Sequence, residues 1–252
     1  MAGPGLEGRT AVVTGARRGI GAAIAEALLT AGARVVVCGR DGAQVEAAVA
    51  GLRGRGLARA EGFAGELGSA DGRTALLAVA GDVDVLVNNA GGFLRAATTL
   101  ESTQQEWEEQ LRANLTLPFL LCQAVLAGMV ARGWGRIVNI GSVTATAPQL
   151  GNAAGYVAAK SGLVGFTRQL ALEVAGTGVT ANVVNPGTVG TEHLAEYVDA
   201  SAISERELAE RIPVGRLGRP GEIAALLPYL VSDEAGFLTG AVIDVNGGAV
   251  TA

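Results

Sequence analysis

The chain has 252 residues, of which 38 are glycine, 49% are hydrophobic and only 4% are aromatic. This length suits one large α/β unit, whose core must be built mainly from Ala, Val, Leu and Ile. The formal net charge of −5 argues against general binding to nucleic acid or to anionic membranes, because both select basic surfaces.

Cysteine and histidine are scarce, which limits several kinds of site. Cys38 and Cys122 lie in separate apolar runs, so we expect free, buried thiols in a reducing compartment. His193 is the only histidine, so we expect no metal site, and a Ser-His-Asp triad is a poor candidate. We see neither a signal peptide nor an apolar run of about 20 residues, so we expect a cytoplasmic protein that spans no membrane.

Short apolar runs alternate with helical segments along the chain. Strands are predicted at 10–14, 34–38, 59–64, 84–88, 135–140, 179–185 and 241–245, and helices at 22–30, 43–52, 71–80, 102–129, 153–175 and 220–232. This alternation predicts one parallel sheet with helices on both faces, in a single domain over residues 1–252. The polar, acidic segment 188–213, with two short helices, is predicted to be a substrate lid.

The first predicted strand and helix are joined by a glycine-rich turn. Thr10–Thr14 ends at Gly15, and Gly19 and Gly21 lead into the helix. Glycine lets the backbone approach a pyrophosphate, and a helix N-terminus supplies free N–H groups. The order strand, glycine turn, helix therefore predicts a dinucleotide site.

The end of the second strand bears on the choice of cofactor. Many NAD-binding folds place a carboxylate there for the ribose hydroxyls, but here Cys38 and Gly39 are followed by Arg40. Arg40, with Arg18 or Arg17 from the glycine turn, would suit a 2′-phosphate, which favours NADP(H). The alternative is that Asp41, one position later, holds the ribose and the cofactor is NAD.

Tyr156 and Lys160 form the main candidate for chemistry. They lie four residues apart, so on a helix they share one face. Lys160 is the only lysine among 19 basic residues, and a compact ammonium differs from a guanidinium. We interpret the pair as an acid/base tyrosine with a pKa-lowering lysine; the alternative is a core tyrosine beside a solvated lysine. Two further candidates are Asn114, inside an apolar helix, and Ser142, just beyond the fifth strand, where ligands bind in open parallel sheets.

Together these segments resemble the classical short-chain dehydrogenase/reductase family over essentially the whole chain. The matching residues are Thr14, Gly15, Gly19, Gly21, Asn88, Asn89, Ala90, Gly91, Asn114, Ser142, Tyr156, Lys160, Pro186, Gly187 and Thr191. Residues 215–220 and 244–248 are similar to those of 3-oxoacyl-(acyl carrier protein) reductase-like members. The resemblance implies a single-domain Rossmann fold with a doubly wound, seven-stranded parallel sheet in the order 3-2-1-4-5-6-7.

The resemblance also implies a catalytic tetrad. Tyr156 would exchange a proton with the substrate oxygen, and Ser142 would hold that oxygen. Lys160 would lower the pKa of Tyr156 and bind the nicotinamide ribose, while Asn114 would keep a water that relays protons. The implied cofactor residues are Gly15, Arg17, Arg18, Gly19, Ile20, Gly21, Arg40, Asn89, Ala90, Gly91, Tyr156, Lys160, Pro186, Gly187, Val189 and Thr191. Glu66 and Leu67 replace the family's usual Asp-Val beside the adenine.

The expected activity is NADP(H)-dependent hydride transfer between nicotinamide and a ketone or secondary alcohol, with a 3-oxoacyl thioester or small ketone as substrate. The alternatives are an NAD-dependent alcohol dehydrogenase, a related epimerase or dehydratase, and an NADP-binding scaffold or sensor without turnover. The acidic excess in the lid argues against an acyl carrier protein as partner. We expect a homotetramer or homodimer formed through the helices that carry Asn114 and Tyr156.

Overall fold

The computed structural model describes residues 5–148, 152–199 and 203–251. In this part of the chain, seven strands form one sheet in the order β3-β2-β1-β4-β5-β6-β7, and every neighbouring pair is parallel. The strands are β1 (Thr10–Thr14), β2 (Arg34–Gly39), β3 (Ala60–Ala64), β4 (Val85–Asn88), β5 (Gly135–Ile140), β6 (Val179–Pro186) and β7 (Val242–Val245). The predicted fold class and strand order are confirmed.

Helices cover both faces of the sheet, as the pattern predicted. The helices are α1 (Gly19–Thr30), α2 (Gly42–Gly54), α3 (Ala70–Ala80), α4 (Gln104–Leu111), α5 (Leu117–Arg132), α6 (Ala154–Glu173), α7 (Glu192–Asp199), α8 (Glu205–Glu210), α9 (Pro220–Ala224) and α10 (Leu227–Leu230). A π-helical turn, Arg112–Thr116, joins α4 to α5, and a short 3₁₀ turn, Val143–Ala145, follows β5.

Two apolar cores lie on opposite faces of the sheet. Neighbouring strand residues alternate between them because side chains along a strand point to opposite faces. Val13 packs with Ile24 and Leu28 of α1, whereas Val12 packs with Leu121 of α5 in the other core. Since β1, β4, β5 and β6 are covered on both sides, nearly every residue in them is buried, including polar residues such as Asn139 and Asn182.

The predicted helix 102–129 is interrupted at the π-helical turn. Leu117 N donates to the carbonyl of Arg112, five residues back, where an α-helix would use the fourth. Pro118, the second residue of α5, has no N–H and cannot give Asn114 its α-helical donor. The prediction of one continuous helix was therefore wrong, and the break contains a proposed catalytic residue.

The predicted last helix, 220–232, is also divided. The structure has α9, which ends at Ala224, and α10, which begins at Leu227. Residue 228 is proline, so the hydrogen bond that would join residue 228 to the carbonyl of Ala224 cannot form. The chain therefore turns between the two short helices.

One apolar stretch exceeds the expectation from sequence. Within the described residues, Gln104–Arg132 contains an 18-residue window with a mean hydropathy of 1.7, enough by length and composition to cross a membrane. The expectation that no stretch would reach that length was too strict. In this fold Leu121, Cys122, Val125 and Met129 are buried, and the same composition is typical of a core helix.

Candidate active site

The proposed catalytic residues gather near the carboxyl ends of the central strands. Ser142 follows β5, Asn114 lies in the π-helical turn, and Tyr156 and Lys160 lie in the first two turns of α6. The π-helical turn packs against α6, and a Cβ on Gly162 would lie 3.0 Å from Leu115 Cδ2. A small residue at position 162 therefore lets the two elements approach closely.

Lys160 is a buried ammonium at the end of β5. Its side chain is 5% exposed, and Nζ donates to the carbonyl oxygen of Ile140 at 2.8 Å. Burial disfavours the charged form and lowers the pKa of Lys160 to about 8. The Nζ atom lies 5.8 Å from the centroid of the Tyr156 ring, so its charge is close to the phenol.

Tyr156 is held between Lys160, Ser142 and an aromatic ring. Burial raises the pKa of Tyr156, and a hydrogen bond that joins it to Ser142 lowers that pKa in part. The Phe93 ring meets the Tyr156 ring edge-on, with centroids 5.6 Å apart and planes at 74°. The chain alone thus keeps Tyr156 in its protonated form at neutral pH.

Ser142 is oriented by two residues that the sequence did not single out. Its backbone N–H donates to Asn185 Oδ1 at 3.0 Å, and its Oγ accepts from Thr144 N at 3.3 Å and from Thr144 Oγ1 at 3.0 Å. With both acceptor positions of Oγ used, the hydrogen of Ser142 is left to donate to the oxygen of Tyr156. The one sequence signal for Asn185 was its position directly before Pro186. Nothing in the sequence indicated Thr144.

Asn114 is 1% exposed, and its side chain bonds only to protein groups in the described part of the chain. Its Oδ1 accepts from Gly92 N at 3.0 Å, and its Nδ2 donates to Gly92 O and to Gln110 O, each at 3.1 Å. Gly91 has φ of 132°, and a Cβ there would collide with Asn114. Asn114 therefore joins the π-helical turn to the segment that follows β4. Gln110, which also takes part, was missed because a single Gln in an amphipathic helix carries no distinctive signal.

The glycine turn is fastened to the end of β4. Gly15 has φ of 63°, and a Cβ there would lie 3.0 Å from Ala90 Cα. Asn89 Nδ2 donates to Thr14 O at 2.9 Å and to Gly15 O at 3.2 Å, while Thr14 Oγ1 accepts from the backbone N–H groups of Asn89 and Ala90. The side chain of Asn89, predicted to bind the cofactor, thus holds the turn. Thr14, matched to the family but given no role from the sequence, does the same.

Helix α1 begins at Gly19, directly after the turn. Among the described residues, no side chain caps its N-terminus, in contrast to α2, which Asp41 caps through Gln44 N at 3.0 Å. Gly19 has φ of 58°, and Ile20 packs against the core formed with α1. The first N–H groups of α1 therefore lie at the glycine turn, where a phosphate could accept from them.

The three predicted arginines point in different directions. Arg18 forms two hydrogen bonds to the carboxylate of Glu196 in α7, the longer at 3.0 Å, and Arg17 bonds to Gln44. Arg40 is exposed at the turn after β2. Of the three, Arg40 is the one whose guanidinium the structure leaves to solvent.

The other predicted cofactor residues lie at two places. Glu66 is exposed, and its Oε1 accepts from Gly68 N at 3.0 Å and lies 3.9 Å from Arg112 Nη1, whereas the side chain of Leu67 is buried in the core. Pro186 ends β6, and a Cβ on Gly187 would lie 2.8 Å from Asn246 Cα.

The segment after β6 passes the glycine turn. Val189 is buried, and Thr191 Oγ1 accepts from Leu194 N at 3.2 Å at the start of α7. A Cβ on Gly19 would lie 3.3 Å from Thr191 Cγ2. The structure thus brings the end of the glycine turn and the beginning of α7 into contact.

The sequence and the structure were compared with known proteins. Residues 9–202 match the family model described as short chain dehydrogenase. The chain is 42% identical over 251 residues to a 3-oxoacyl-[acyl-carrier-protein] reductase of Vibrio cholerae, covering 96% of this chain and 98% of the relative. It is also 42% identical over 255 residues to an acetoacetyl-CoA reductase of Shinella zoogloeoides, covering 95% and 98%.

A solved structure with the same fold contains a bound cofactor. A variant of the actinorhodin polyketide ketoreductase with NADPH superimposes with a TM-score of 0.89 at 37% identity, covering 96% of this chain and 97% of that one. The fold, the glycine turn and these similarities agree. The chain therefore belongs to the short-chain dehydrogenase/reductase family of oxidoreductases and is similar to its 3-oxoacyl-[acyl-carrier-protein] reductases.

Proposed function

We propose that this protein is an NADP(H)-dependent reductase of 3-oxoacyl thioesters or similar small ketones. The observation that carries the proposal is the arrangement around Tyr156, which is hydrogen-bonded to Ser142 and lies beside the buried ammonium of Lys160. A protonated phenol next to an oriented hydroxyl donor is suited to a carbonyl oxygen that gains negative charge.

The residues around the glycine turn fit a dinucleotide. The uncapped N-terminus of α1 offers backbone N–H groups, and Gly15, Gly19 and Gly21 let the turn pack closely against Ala90, Thr191 and Asn89, where a Cβ would crowd. When bound, the reduced nicotinamide supplies the hydride. Lys160 would bind the nicotinamide ribose with the donors that Ile140 does not use, and Val189 and Thr191 would lie near the carboxamide.

Tyr156 and Ser142 act on the substrate oxygen. Ser142, oriented by Thr144, donates one hydrogen bond, and Tyr156 donates the second and then the proton. The pKa of Lys160, about 8, keeps its ammonium charged at neutral pH. That charge favours the phenolate that remains after transfer, and so lowers the cost of proton donation by Tyr156.

Asn114 would serve the proton supply through its backbone. Its two amide N–H groups already donate to Gly92 O and Gln110 O, so the amide nitrogen has no hydrogen left for a water molecule. Its carbonyl lacks the usual α-helical donor, since residue 118 is proline. We place a relay water at this carbonyl, between Lys160 and solvent.

The preference for NADP(H) over NAD is supported by the turn after β2. Asp41, the carboxylate that could have held the ribose, caps α2 through Gln44 N. Arg40 is exposed beside it and suits a 2′-phosphate. The similar ketoreductase structure contains NADPH.

The substrate class rests on the relatives and the charge of the lid. Two similar proteins are named as reductases of an acyl-carrier-protein thioester and a coenzyme A thioester. Within the segment 188–213, Glu192, Glu196, Glu205, Glu207 and Glu210 outnumber Arg206 and Arg211. This acidic excess does not favour an acidic carrier protein as partner. We therefore take the small thioester acetoacetyl-CoA, like the substrate in the name of one relative, and free ketones as the first substrates to test.

The experiment is NADPH oxidation with acetoacetyl-CoA and a panel of small ketones. We expect turnover by the wild type and a loss of about 100-fold or more in Tyr156→Phe, because the variant keeps the ring but cannot donate the proton. Tyr229→Phe, on an exposed tyrosine of α10, is the matched control and should keep full activity. Inactive wild type that binds NADPH would instead indicate a non-catalytic cofactor-binding protein, and equal activity of Tyr156→Phe would refute the assigned role.

A further inference from the structure

Gln110 is a buried polar residue beside the proposed site. It lies in α4, one turn before Asn114, and only 2% of its surface is exposed. A Cβ on Gly155, the residue before Tyr156, would lie 3.2 Å from Gln110 Cβ. Burying an amide is costly unless its polar atoms are bonded, so its partners indicate what the residue does.

The amide of Gln110 connects two parts of the site. Its Oε1 accepts from Asn114 Nδ2 at 2.9 Å. With the amide turned over, the side chain donates to Gly92 O at 3.1 Å and accepts from Leu94 N at 3.0 Å. The two orientations are alternatives, in which the side chain bonds either to Asn114 or to Gly92 and Leu94. In both, the backbone carbonyl of Gln110 accepts from Asn114 Nδ2.

The same network contacts Tyr156 through Phe93. The Gly92–Leu94 segment carries Phe93, whose ring packs edge-on against the Tyr156 ring. Asn114 bonds to the backbone of Gly92 in the same segment. Gln110 thus touches both the turn that holds the proposed relay carbonyl and the segment that holds the proton donor in place.

We propose that Gln110 is a positioning residue for proton transfer, which fixes the π-helical turn and the Gly92–Leu94 segment relative to Tyr156. The proposal rests on the proposed function, since it concerns the same tyrosine and the same relay. An apolar side chain of equal length would fill the space but would leave the backbone N–H of Leu94 without this acceptor. The segment would then depend on Asn114 alone for its hydrogen bonds to the turn.

The first test compares Gln110→Met with Gln105→Met, an exposed residue of the same helix. Because the amide acts on proton transfer, kcat of Gln110→Met should fall about tenfold or more while KM for NADPH changes less than about twofold. Backbone amide exchange at residues 92–94 should accelerate by a similar factor without substrate or cofactor. Gln105→Met should match the wild type in both measurements.

A second variant separates positioning from packing. Gln110→Glu, when protonated, keeps one donor and one acceptor in nearly the same shape, so it should restore kcat at low pH and lose it as the carboxyl ionises. The charged groups lining the adjoining cavity, Arg95 and Glu106, are paired with each other. The hydrogen bond from Arg95 lowers the pKa of Glu106 to about 2, so Glu106 does not titrate in the pH range over which kcat is measured.

The outcomes distinguish this proposal from the proposed function. If the wild type reduces no ketone, the proposed function fails, while the amide exchange of residues 92–94 still tests the connection made by Gln110. If the wild type is active and Gln110→Met leaves both kcat and exchange unchanged, the positioning role is refuted. A Gln110→Glu variant whose kcat has the pH profile of the wild type would also overturn it.

Discussion

Lys160 and Tyr156 have opposite responses to the same burial. Loss of water lowers the pKa of the ammonium and raises that of the phenol, because in each group burial disfavours the charged form. At neutral pH the structure therefore holds a charged lysine beside a neutral tyrosine. A proton donor must be in this neutral state before hydride addition to the carbonyl carbon places negative charge on the substrate oxygen.

The burial of Lys160 predicts a pH dependence of stability. Its folded-state pKa of about 8 lies below the ordinary value of 10.5, so between these pH values the unfolded chain binds more protons. The free energy of unfolding should therefore rise with pH, by about 1 kcal/mol between pH 8 and 9, and the cost of burying the charge is fully present below pH 8. In Lys160→Met this rise should be absent.

Urea unfolding of both proteins at pH 7, 8 and 9 measures the effect. The buried thiols of Cys38 and Cys122, whose pKa burial raises to about 12, reduce stability as pH rises from about 8, in both proteins alike, and so offset part of the rise in the wild type. The difference between wild type and variant therefore isolates the lysine. Parallel curves would show that the ammonium is better solvated than the structure indicates.

Helices α1 and α2, which precede and follow β2, differ at the N-terminal ends that we propose lie near the cofactor. No side chain caps the N-terminus of α1, whose first N–H groups we propose meet a phosphate, whereas the N-terminus of α2 is capped by Asp41 through Gln44 N. The carboxylate that would select NAD is used to stabilise a helix. Arg40, one residue earlier, remains exposed to meet an extra phosphate.

Arg40→Asp should weaken NADPH binding far more than NADH binding, by about tenfold or more, because a charge-assisted pair with the 2′-phosphate is replaced by repulsion. Fluorescence titration with each cofactor measures the two affinities. Arg55→Asp, at the other end of α2, is the control for a general change in charge. Equal losses for NADPH and NADH in Arg40→Asp would mean that this side chain does not touch the 2′-phosphate.

At the scale of the whole molecule, helices α5 and α6 leave apolar side chains uncovered. Phe119 is 43% exposed and packs edge-on against Phe166, and Leu172 at the end of α6 is 75% exposed. Exposed apolar side chains on two neighbouring helices, one of which carries the proposed catalytic residues Tyr156 and Lys160, favour an interface between subunits. We propose that copies of the chain assemble through this surface into a homotetramer or homodimer.

Phe119→Glu should lower the molecular mass measured by sedimentation equilibrium, since a charge in a subunit interface is costly to desolvate. Leu100→Glu, on a fully exposed loop residue, is the matched control and should leave the mass unchanged. A wild-type protein that sediments as a monomer would refute the assembly. A Phe119→Glu protein of unchanged mass would place the interface elsewhere.

Local patterns predicted the strands and the positions of Ser142, Tyr156 and Lys160, because each of these depends on residues near one another in the chain. The strand order was predicted from the family resemblance. The features that the sequence analysis missed depend on contacts between residues that are far apart in the chain. The π-helical turn is held by Asn114 and Gly92, and Arg18 meets Glu196 from α7. Thr144 and Gln110 act through a neighbour's hydrogen bonds, which no spacing in the sequence reveals.

The lone lysine has a practical consequence for anyone who handles this protein. Its single ε-amino group is buried in the proposed catalytic cluster, and a pKa of about 8 makes part of it an uncharged nucleophile under mild conditions. An acylating reagent that spares arginine would therefore add at most one label to the side chains. Intact mass spectrometry would then measure the fraction of molecules in which Lys160 is accessible to the reagent, without any engineered tag.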